Sequence, residues 1–372
     1  MSHFTVRPVR TKDDKKKFID FLYSHYKNDK NFVPPLRIDR EKLIDKEKNP
    51  FYKHAEMELF LAERNGKVIG RIGGIVNYNH NKEHSDRVGF FGFFECVNEQ
   101  EVANALFDEA KKFVKSKGMN ALRGPANPSV NDEYGLLIEG FDSPPTILMT
   151  YNPPYYATLL ENYGFKKEKD LYAWLLSQET VYTEKIIRAN EIIRQRSGIT
   201  IRTIDMKDFQ NEVARIKKVY NLAWEKNWGE VPMTDAEFDF LANDLKQIVE
   251  PELVLIAEVK GQVIGFGLSL PDINQALIYN RNGSLIGGLW HLLTKKKKIN
   301  RCRIIVLGVI EEYRKTGAAG LLFYETAVRA KKLGYQYGEA SWVLEDNVMM
   351  NRAAEAMNGK LYKKYRIYQM DV

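Results

Sequence analysis

The stretch Val309-Ile-Glu-Glu-Tyr-Arg-Lys-Thr-Gly-Ala-Ala-Gly320 joins two segments of different character. The residues before it, 303–309, are mostly aliphatic and indicate a buried strand. After it, apolar residues recur at helical spacing from Leu321 to Val328, and Gly334 ends that pattern. The sequence therefore predicts a strand, a tight turn of small residues and a helix.

The chain contains an internal repeat. Leu61-Ala-Glu-Arg-Asn-Gly-Lys-Val-Ile-Gly70 matches Ile256-Ala-Glu-Val-Lys-Gly-Gln-Val-Ile-Gly265 at six positions of ten, with an offset of 195. Each segment predicts a β-hairpin, because Asn65-Gly66 and Lys260-Gly261 favour the positive φ angles of a tight turn between apolar runs. A repeat this long indicates a duplicated domain and not a solenoid.

The repeat predicts two domains, residues 1–176 and 199–372, joined by a connector at 177–198. The connector carries isoleucines at near-helical spacing and reaches Gly198, which predicts a helix with a glycine cap. Each half has a leading strand, a helical region, the hairpin, a central strand and further helices and strands. The predicted fold class is α/β (α+β), with a mixed, mostly antiparallel sheet flanked by helices in each half.

Composition and charge argue against several classes of protein. The net charge of +7 is mild for 372 residues, so no nucleic-acid partner is expected. Cys96 and Cys302 have no second cysteine or histidine at ligand spacing, which argues against a disulfide framework or a metal site. The chain shows no signal-like start and no apolar run near the ~18 residues of a spanning helix. We therefore expect a cytoplasmic protein.

The turn after the second central strand suits a bound diphosphate. Small residues at 317–320 let an anion approach the unpaired amides of a helix start, and Arg314 and Lys315 add positive charge. The corresponding segment of the first half, 97–102, has two carboxylates and no glycine, so it should repel a diphosphate. A second interpretation is an ordinary glycine-rich turn.

The order of elements around this turn resembles the GNAT acyltransferase superfamily. The acyl-CoA signature of that superfamily, R/Q-x-x-G-x-G/A, is matched by Arg314, Gly317 and Ala319. The resemblance covers residues 199–372, whereas residues 1–175 resemble the same fold without the signature. It implies two tandem GNAT-like domains, of which the second binds acetyl-CoA or a longer acyl-CoA and needs no metal.

The resemblance also implies a set of cofactor-binding residues. The pyrophosphate would lie on the backbone of Lys315, Thr316, Gly317, Ala318, Ala319 and Gly320. The pantetheine arm would pair with the strand edge at Leu307 and Val309 and contact Asn347. Many members carry a tyrosine seven residues after this asparagine, but Ala354 stands there. Tyr362, Tyr365 or water is then left to protonate the departing thiolate.

A loop of turn-forming residues, 124–135, follows the main helix of the first half. We hypothesise that Asn131, Asp132 and Glu133 project into a cleft between the halves, and that Glu133 or Asp132 is the general base for the amine. A surface loop without a catalytic role is the alternative interpretation.

Residues 285–298 place an apolar block beside four lysines. One interpretation is a helix packed on the core with a solvated tail, and the other is peripheral contact with a membrane surface. The second would suit a lipidic acceptor.

The sequence thus predicts an acyl-CoA-dependent N-acyltransferase that acts on an amine, such as a long-chain one. The alternatives are an acyl-CoA-binding sensor without catalysis and an aminoacyl-tRNA-dependent transferase.

Overall fold

The computed structural model describes residues 3–224 and 228–372. The strands are β1 (Thr5–Pro8), β2 (Ala55–Arg64), β3 (Lys67–Asn77), β4 (Val88–Cys96), β5 (Ala121–Gly124), β6 (Ala126–Asn127), β7 (Glu133–Tyr134), β8 (Leu136–Glu139), β9 (Lys166–Ser177), β10 (Thr200–Thr203), β11 (Val254–Val259), β12 (Gln262–Pro271), β13 (Arg301–Val309), β14 (Tyr337–Leu344) and β15 (Lys360–Asp371). The helices are α1 (Lys12–His25), α2 (Arg37–Ile44), α3 (Tyr78–His84), α4 (Gln100–Ser116), α5 (Tyr155–Tyr163), α6 (Glu184–Ser197), α7 (Phe209–Trp224), α8 (Asp235–Leu245), α9 (Asn274–Leu277), α10 (Leu285–Lys295), α11 (Ala318–Lys332) and α12 (Val348–Ala356). Across the described ranges, no helix has the length and apolar character needed to cross a membrane.

The chain forms two compact units. Unit 1 consists of Met1–Leu171, Asn274–Lys296 and Lys363–Val372, and unit 2 of Tyr172–Ile273 and Lys297–Tyr362. The strand order is β1-β2-β3-β4-β5-β15 in unit 1 and β14-β13-β12-β11-β10 in unit 2. Neighbours in these orders are antiparallel except for β4–β5 and β13–β14, which are parallel. The predicted mixed, mostly antiparallel sheet with flanking helices is therefore confirmed.

Two late segments of the chain lie in unit 1. Strand β15 pairs with β5 from Tyr368–Gly124 to Asp371–Ala121, and the insertion that carries α9 and α10 packs in the same unit. The compact units thus divide the chain differently from the ranges 1–176 and 199–372. The reason is physical: a repeat reports sequence similarity, whereas compactness depends on which strands and helices pack together.

The two predicted hairpins are present. Asn65 and Gly66 have φ angles of 51° and 74°, and Lys260 and Gly261 have 50° and 79°. Positive φ at both central residues is the geometry of a type I′ turn, whose twist matches that of the flanking strands. These turns fix the pairing of β2 with β3 and of β11 with β12.

The duplication extends to a side-chain ion pair. In unit 1, Arg7 Nε donates to Glu63 Oε2 at 2.7 Å, and in unit 2, Arg202 Nε donates to Glu258 Oε1 at 2.9 Å. Both members of the pair recur at the same offset of 195 as the hairpins. The first two strands of each unit are therefore joined by an equivalent contact between side chains.

One long helix packs on the sheet of each unit. Leu106 and Phe107 of α4 are fully buried in unit 1, as are Leu321 and Leu322 of α11 in unit 2. Full burial of each such side chain contributes ~1.5–3 kcal/mol, so these helices hold the sheets in place. Helix α11 thereby fixes the position of its own N-terminus beside the end of β13.

In unit 1, the space beyond the short parallel pairing of β4 and β5 is filled by the chain itself. Pairing of β4 with β5 covers three residue pairs, and β6 then lies against β4. The Phe93 N–H donates to Asn127 Oδ1 at 2.5 Å. The Ala126 carbonyl oxygen lies 1.8 Å from the position that a Cβ on Gly92 would take. Unit 1 therefore uses its own backbone and one amide side chain to occupy this space.

Replacing Gly92 with alanine should destabilise the protein, because the new methyl group would overlap the Ala126 carbonyl. We expect a loss of roughly 2–3 kcal/mol in the free energy of unfolding, measured by urea titration. The control is Gly338→Ala, whose Cβ would have Leu176 as its nearest neighbour at an ordinary 3.9 Å. Equal effects of the two substitutions would contradict the close approach of β6 to β4.

Candidate functional site

In unit 2, the parallel strands β13 and β14 separate towards their carboxyl ends. The register of β13 with β14 ends at Ile304–Ala340, although the strands continue to Val309 and Leu344. On its other side β13 has a bulge against β12, which leaves Ile305 as the extra residue. A bulge increases the local twist of a strand, so it accounts for the separation of β13 from β14.

The backbone of β13 beyond the bulge presents polar groups to this opening. The Ile310 N–H donates to the Ile264 carbonyl at 2.9 Å, on the side of β12. Successive residues of a strand direct their N–H and C=O groups to opposite sides. The groups of Val309 and Leu307 therefore face the opening, which is the strand edge that the sequence predicted for pantetheine.

The turn after β13 ends in an uncapped helix start. Residues 311–316 form a 3₁₀ turn, Gly317 has φ 88°, and α11 begins at Ala318. Gly317 is the N-cap residue and has no side chain with which to cap the first amides of α11. A Cβ at Gly320 would find no atom within 4 Å, so the first turn is open at that residue. Uncapped amides at the positive end of a helix dipole favour an anion.

Other parts of the predicted loop have structural contacts. Ile193 of α6 lies 2.7 Å from the Cβ position of Gly317, so this glycine is needed for the close approach of α6. Arg314 donates from Nη2 to the Ala223 carbonyl at 2.7 Å and from Nε to the Val309 carbonyl at 3.3 Å. Arg314 thus ties the turn to the ends of α7 and β13.

The remaining predicted cofactor residues differ in accessibility. Lys315 is exposed, whereas Ala318 is buried and Ala319 is partly buried. The Thr316 hydroxyl donates to the Tyr313 carbonyl at 2.7 Å. Asn347 caps α12, and its Oδ1 accepts from the amide three residues later at 3.2 Å.

Sequence reasoning missed a buried polar cluster where β13 and β14 part. Arg303 donates to the Ser341 hydroxyl at 2.8 Å and to the Ser341 carbonyl at 3.1 Å. The Glu339 carboxylate accepts from the hydroxyls of Ser341 and Tyr362. This cluster places Tyr362, a residue predicted from the sequence, next to the last paired residues of the two strands. Charged residues at facing positions of apolar strands were the signal that could have revealed it.

A second acidic group was also missed. Glu230, in the connection between α7 and α8, accepts a hydrogen bond from the Tyr220 hydroxyl at 2.9 Å. Burial raises the pKa of Glu230 to about 7, and the bond from Tyr220 opposes part of that rise. Met233 of the same connection packs on the hydrophobic cluster that contains Val309. Met233 therefore places the described end of this connection on the core that surrounds the end of β13.

The predicted base Glu133 is part of an ion pair in unit 1. Its Oε1 lies 2.6 Å from Arg40 Nη2, and its Oε2 accepts from Asn127 Nδ2 at 3.1 Å. Burial acts to raise the pKa of Glu133, but the charge of Arg40 and the two hydrogen bonds outweigh it, so the pKa is lowered. A lower pKa makes this carboxylate a weaker base.

Asn131 and Asp132 belong to the short turn between β6 and β7. The Ser129 hydroxyl donates to Asp132 Oδ2 at 2.6 Å and accepts from the Asn131 amide at 3.2 Å. These contacts are local to the turn. Among the described residues, no group of three or more histidine, cysteine, aspartate or glutamate side chains is placed to hold a metal ion.

Comparison with known proteins gives two relatives over nearly the whole chain. Protein YghO of Escherichia coli is 33% identical over 99% of this chain and 95% of its own length. A bacterial ceramide synthase of Caulobacter vibrioides is 34% identical over 98% of this chain and 97% of its own length. No family model matches the chain.

The fold has solved counterparts. A tandem GNAT protein from the clavulanic acid biosynthesis pathway superimposes with a TM-score of 0.58 over 99% of this chain and 98% of that protein, at 10% identity. This likeness confirms the predicted tandem arrangement of two GNAT folds. The two full-length relatives show that this chain, with its tandem GNAT fold, belongs to one family with protein YghO and bacterial ceramide synthase.

Proposed function

We propose that this acyltransferase moves the acyl group of an acyl-CoA to the amine of a long-chain acceptor. The observation that carries the proposal is the opening between β13 and β14 beside the uncapped start of α11. The relative named bacterial ceramide synthase supports a lipidic acceptor, because a ceramide is an amide of a long-chain amine.

On this proposal the cofactor binds along the opening. The pyrophosphate takes hydrogen bonds from backbone amides between Lys315 and Gly320, and the exposed Lys315 adds charge. The pantetheine arm pairs with the backbone of Leu307 and Val309, as an added strand would. Asn347 uses Oδ1 for its cap on α12, so its side-chain NH2 is the group that would donate to this arm.

Gly320 offers the cleanest test of the cofactor site. Gly320→Glu adds a carboxylate to the first turn of α11 at a position where its Cβ meets no atom within 4 Å. We therefore expect binding of acetyl-CoA and of palmitoyl-CoA to weaken at least about tenfold in calorimetry. Gly320→Ala is the matched control, and its binding should be unchanged. If both variants bind like the parent, the pyrophosphate does not lie on this turn.

The chemistry of the transfer requires three groups. A base removes a proton from the amine, whose nitrogen attacks the thioester carbon and forms the C–N bond as the C–S bond breaks. A backbone N–H of β13 near Val309 stabilises the oxyanion, and an acid protonates the thiolate. We assign the base to Glu230, whose pKa of about 7 suits proton transfer at neutral pH, and the acid to Tyr362. Glu133 and Asp132 remain the alternative bases.

The pH dependence of turnover tests the base. Because a base works only when deprotonated, kcat/KM should rise with pH through about 7. Glu230→Gln should lower kcat by ~100-fold or more and abolish that rise. Tyr220→Phe removes the bond that lowers the pKa of Glu230, so the rise should move to higher pH. Normal turnover in Glu230→Gln with an inactive Glu133→Gln or Asp132→Asn would transfer the role to the first half.

Two tyrosines of the last strand test the acid. Tyr362→Phe should reduce kcat by ~100-fold while binding of acyl-CoA is retained, and Glu339→Gln should show a smaller loss, since it only positions Tyr362. Tyr365→Phe is the matched control, because Tyr365 is fully buried in unit 1. The reverse ranking of the two tyrosine variants would identify Tyr365 as the acid.

Release of free thiol from acyl-CoA with a panel of amines separates this proposal from its alternatives. Transfer to a long-chain amine in the absence of tRNA is the expected result. Binding of acyl-CoA without thiol release on any amine would favour an acyl-CoA-binding sensor. Activity that requires aminoacyl-tRNA would favour an aminoacyl-tRNA-dependent transferase.

A further inference from the structure

Helix α10 presents an apolar face to solvent. The exposed side chains on this face are Leu285 (46%), Ile286 (84%), Leu289 (53%), Trp290 (65%) and Leu293 (80%). They recur three and four residues apart, so they lie on one side of the helix. Large exposed apolar patches in soluble proteins mark surfaces for another molecule or for a membrane.

The opposite side of α10 is packed. A Cβ at Gly288 would lie 2.6 Å from Leu36, and one at Gly287 would lie 2.5 Å from Asn280, so the two glycines allow the helix to approach its neighbours closely. The packed side therefore carries the small residues and the free side carries the large apolar ones. This is the reverse of a helix that buries its apolar face in a core.

The segment before α10 is held firmly to unit 1. Arg281 donates to the carbonyls of Phe32 at 2.9 Å and Asp29 at 2.8 Å. The Arg37 amide donates to the Gly283 carbonyl at 2.9 Å. These contacts fix the orientation of α10, so its apolar face is displayed by the fold itself.

The segment that carries this face has charge of one sign. Residues 274–300 contain five basic residues and no acidic residue. Four of the five, Lys295 to Lys298, follow the last apolar turn, and the last three of these are exposed. Lys295 lies over the Tyr279 ring at 4.2 Å. A second copy of the chain would bring like charges together, whereas an anionic lipid surface would attract them.

We infer that the apolar face of α10 inserts into the surface of an anionic phospholipid bilayer, with Lys295 to Lys298 at the headgroups. The helix lies in the plane of the surface and its large apolar side chains enter the boundary of the acyl chains. The inference goes beyond the proposed acyl transfer and does not need it to be correct, although it would bring the protein to a membrane-bound acceptor.

Cosedimentation of the full chain with vesicles tests this contact. We expect binding to equal parts of phosphatidylcholine and phosphatidylglycerol, and weak binding to phosphatidylcholine alone. A variant with Ile286→Ser, Trp290→Ser and Leu293→Ser should lose it. Replacing the four lysines by glutamine should weaken it at least about tenfold. Leu333→Ser, at the exposed leucine that follows the last residue of α11, is the control and should bind normally.

Circular dichroism and acyl-CoA binding of each variant establish that it is folded, and they report on the proposed transfer site separately. Vesicle binding that survives the triple serine substitution would overturn the inference. So would an absence of binding to the anionic vesicles. A dimer that the same substitution dissociates, in a protein that does not bind vesicles, would assign the face to a second copy.

Discussion

The separation of two parallel strands is the constraint from which the site follows. Once β13 leaves β14, the peptide groups of Leu307 and Val309 lose the partners that a continuous sheet would supply. The Val309 carbonyl accepts from Arg314 Nε at 3.3 Å, and the other peptide groups on this side are open to water or a ligand. Such a partner matters because a buried polar group without one costs about 1–3 kcal/mol. The bulge at Ile305 creates this situation and the start of α11 adds a second set of amides beside it. The edge of β13 and the start of α11 together place two sets of backbone polar groups beside the same opening.

The two units differ in what lies beyond their short parallel strand pair. In unit 1 the space beyond the short parallel pair is filled by β6, and the Asn127 side chain accepts from the Phe93 amide. In unit 2, Arg314 and Ile193 hold the turn before α11 through contacts with α7 and α6, and the first turn of α11 remains open at Gly320. Unit 1 therefore supplies from its own chain a hydrogen bond of the kind that the proposed function gives to a ligand in unit 2.

The sequence predicted those features that depend on neighbouring residues. The hairpin turns at Asn65-Gly66 and Lys260-Gly261 and the strand, turn and helix around Gly317 follow from local backbone preferences. The cluster of Arg303 and Glu339 was not predicted, because their residues meet only when the sheet forms. The contact of Arg314 with the end of α7 depends in the same way on tertiary packing, so the signature motif alone does not disclose it.

Strand β15 has a consequence for how the chain acquires its structure. Within unit 1, Arg123 of β5 donates a hydrogen bond to Gln369 of β15, which lies 246 positions later in the chain. During synthesis from the N-terminus, this side of β5 stays without its β15 partner until residues 360–371 have emerged. An open strand edge invites pairing with other chains, and contacts of such long range slow folding. The sheet of unit 1 therefore cannot be completed in a nascent chain before β15 has been synthesised.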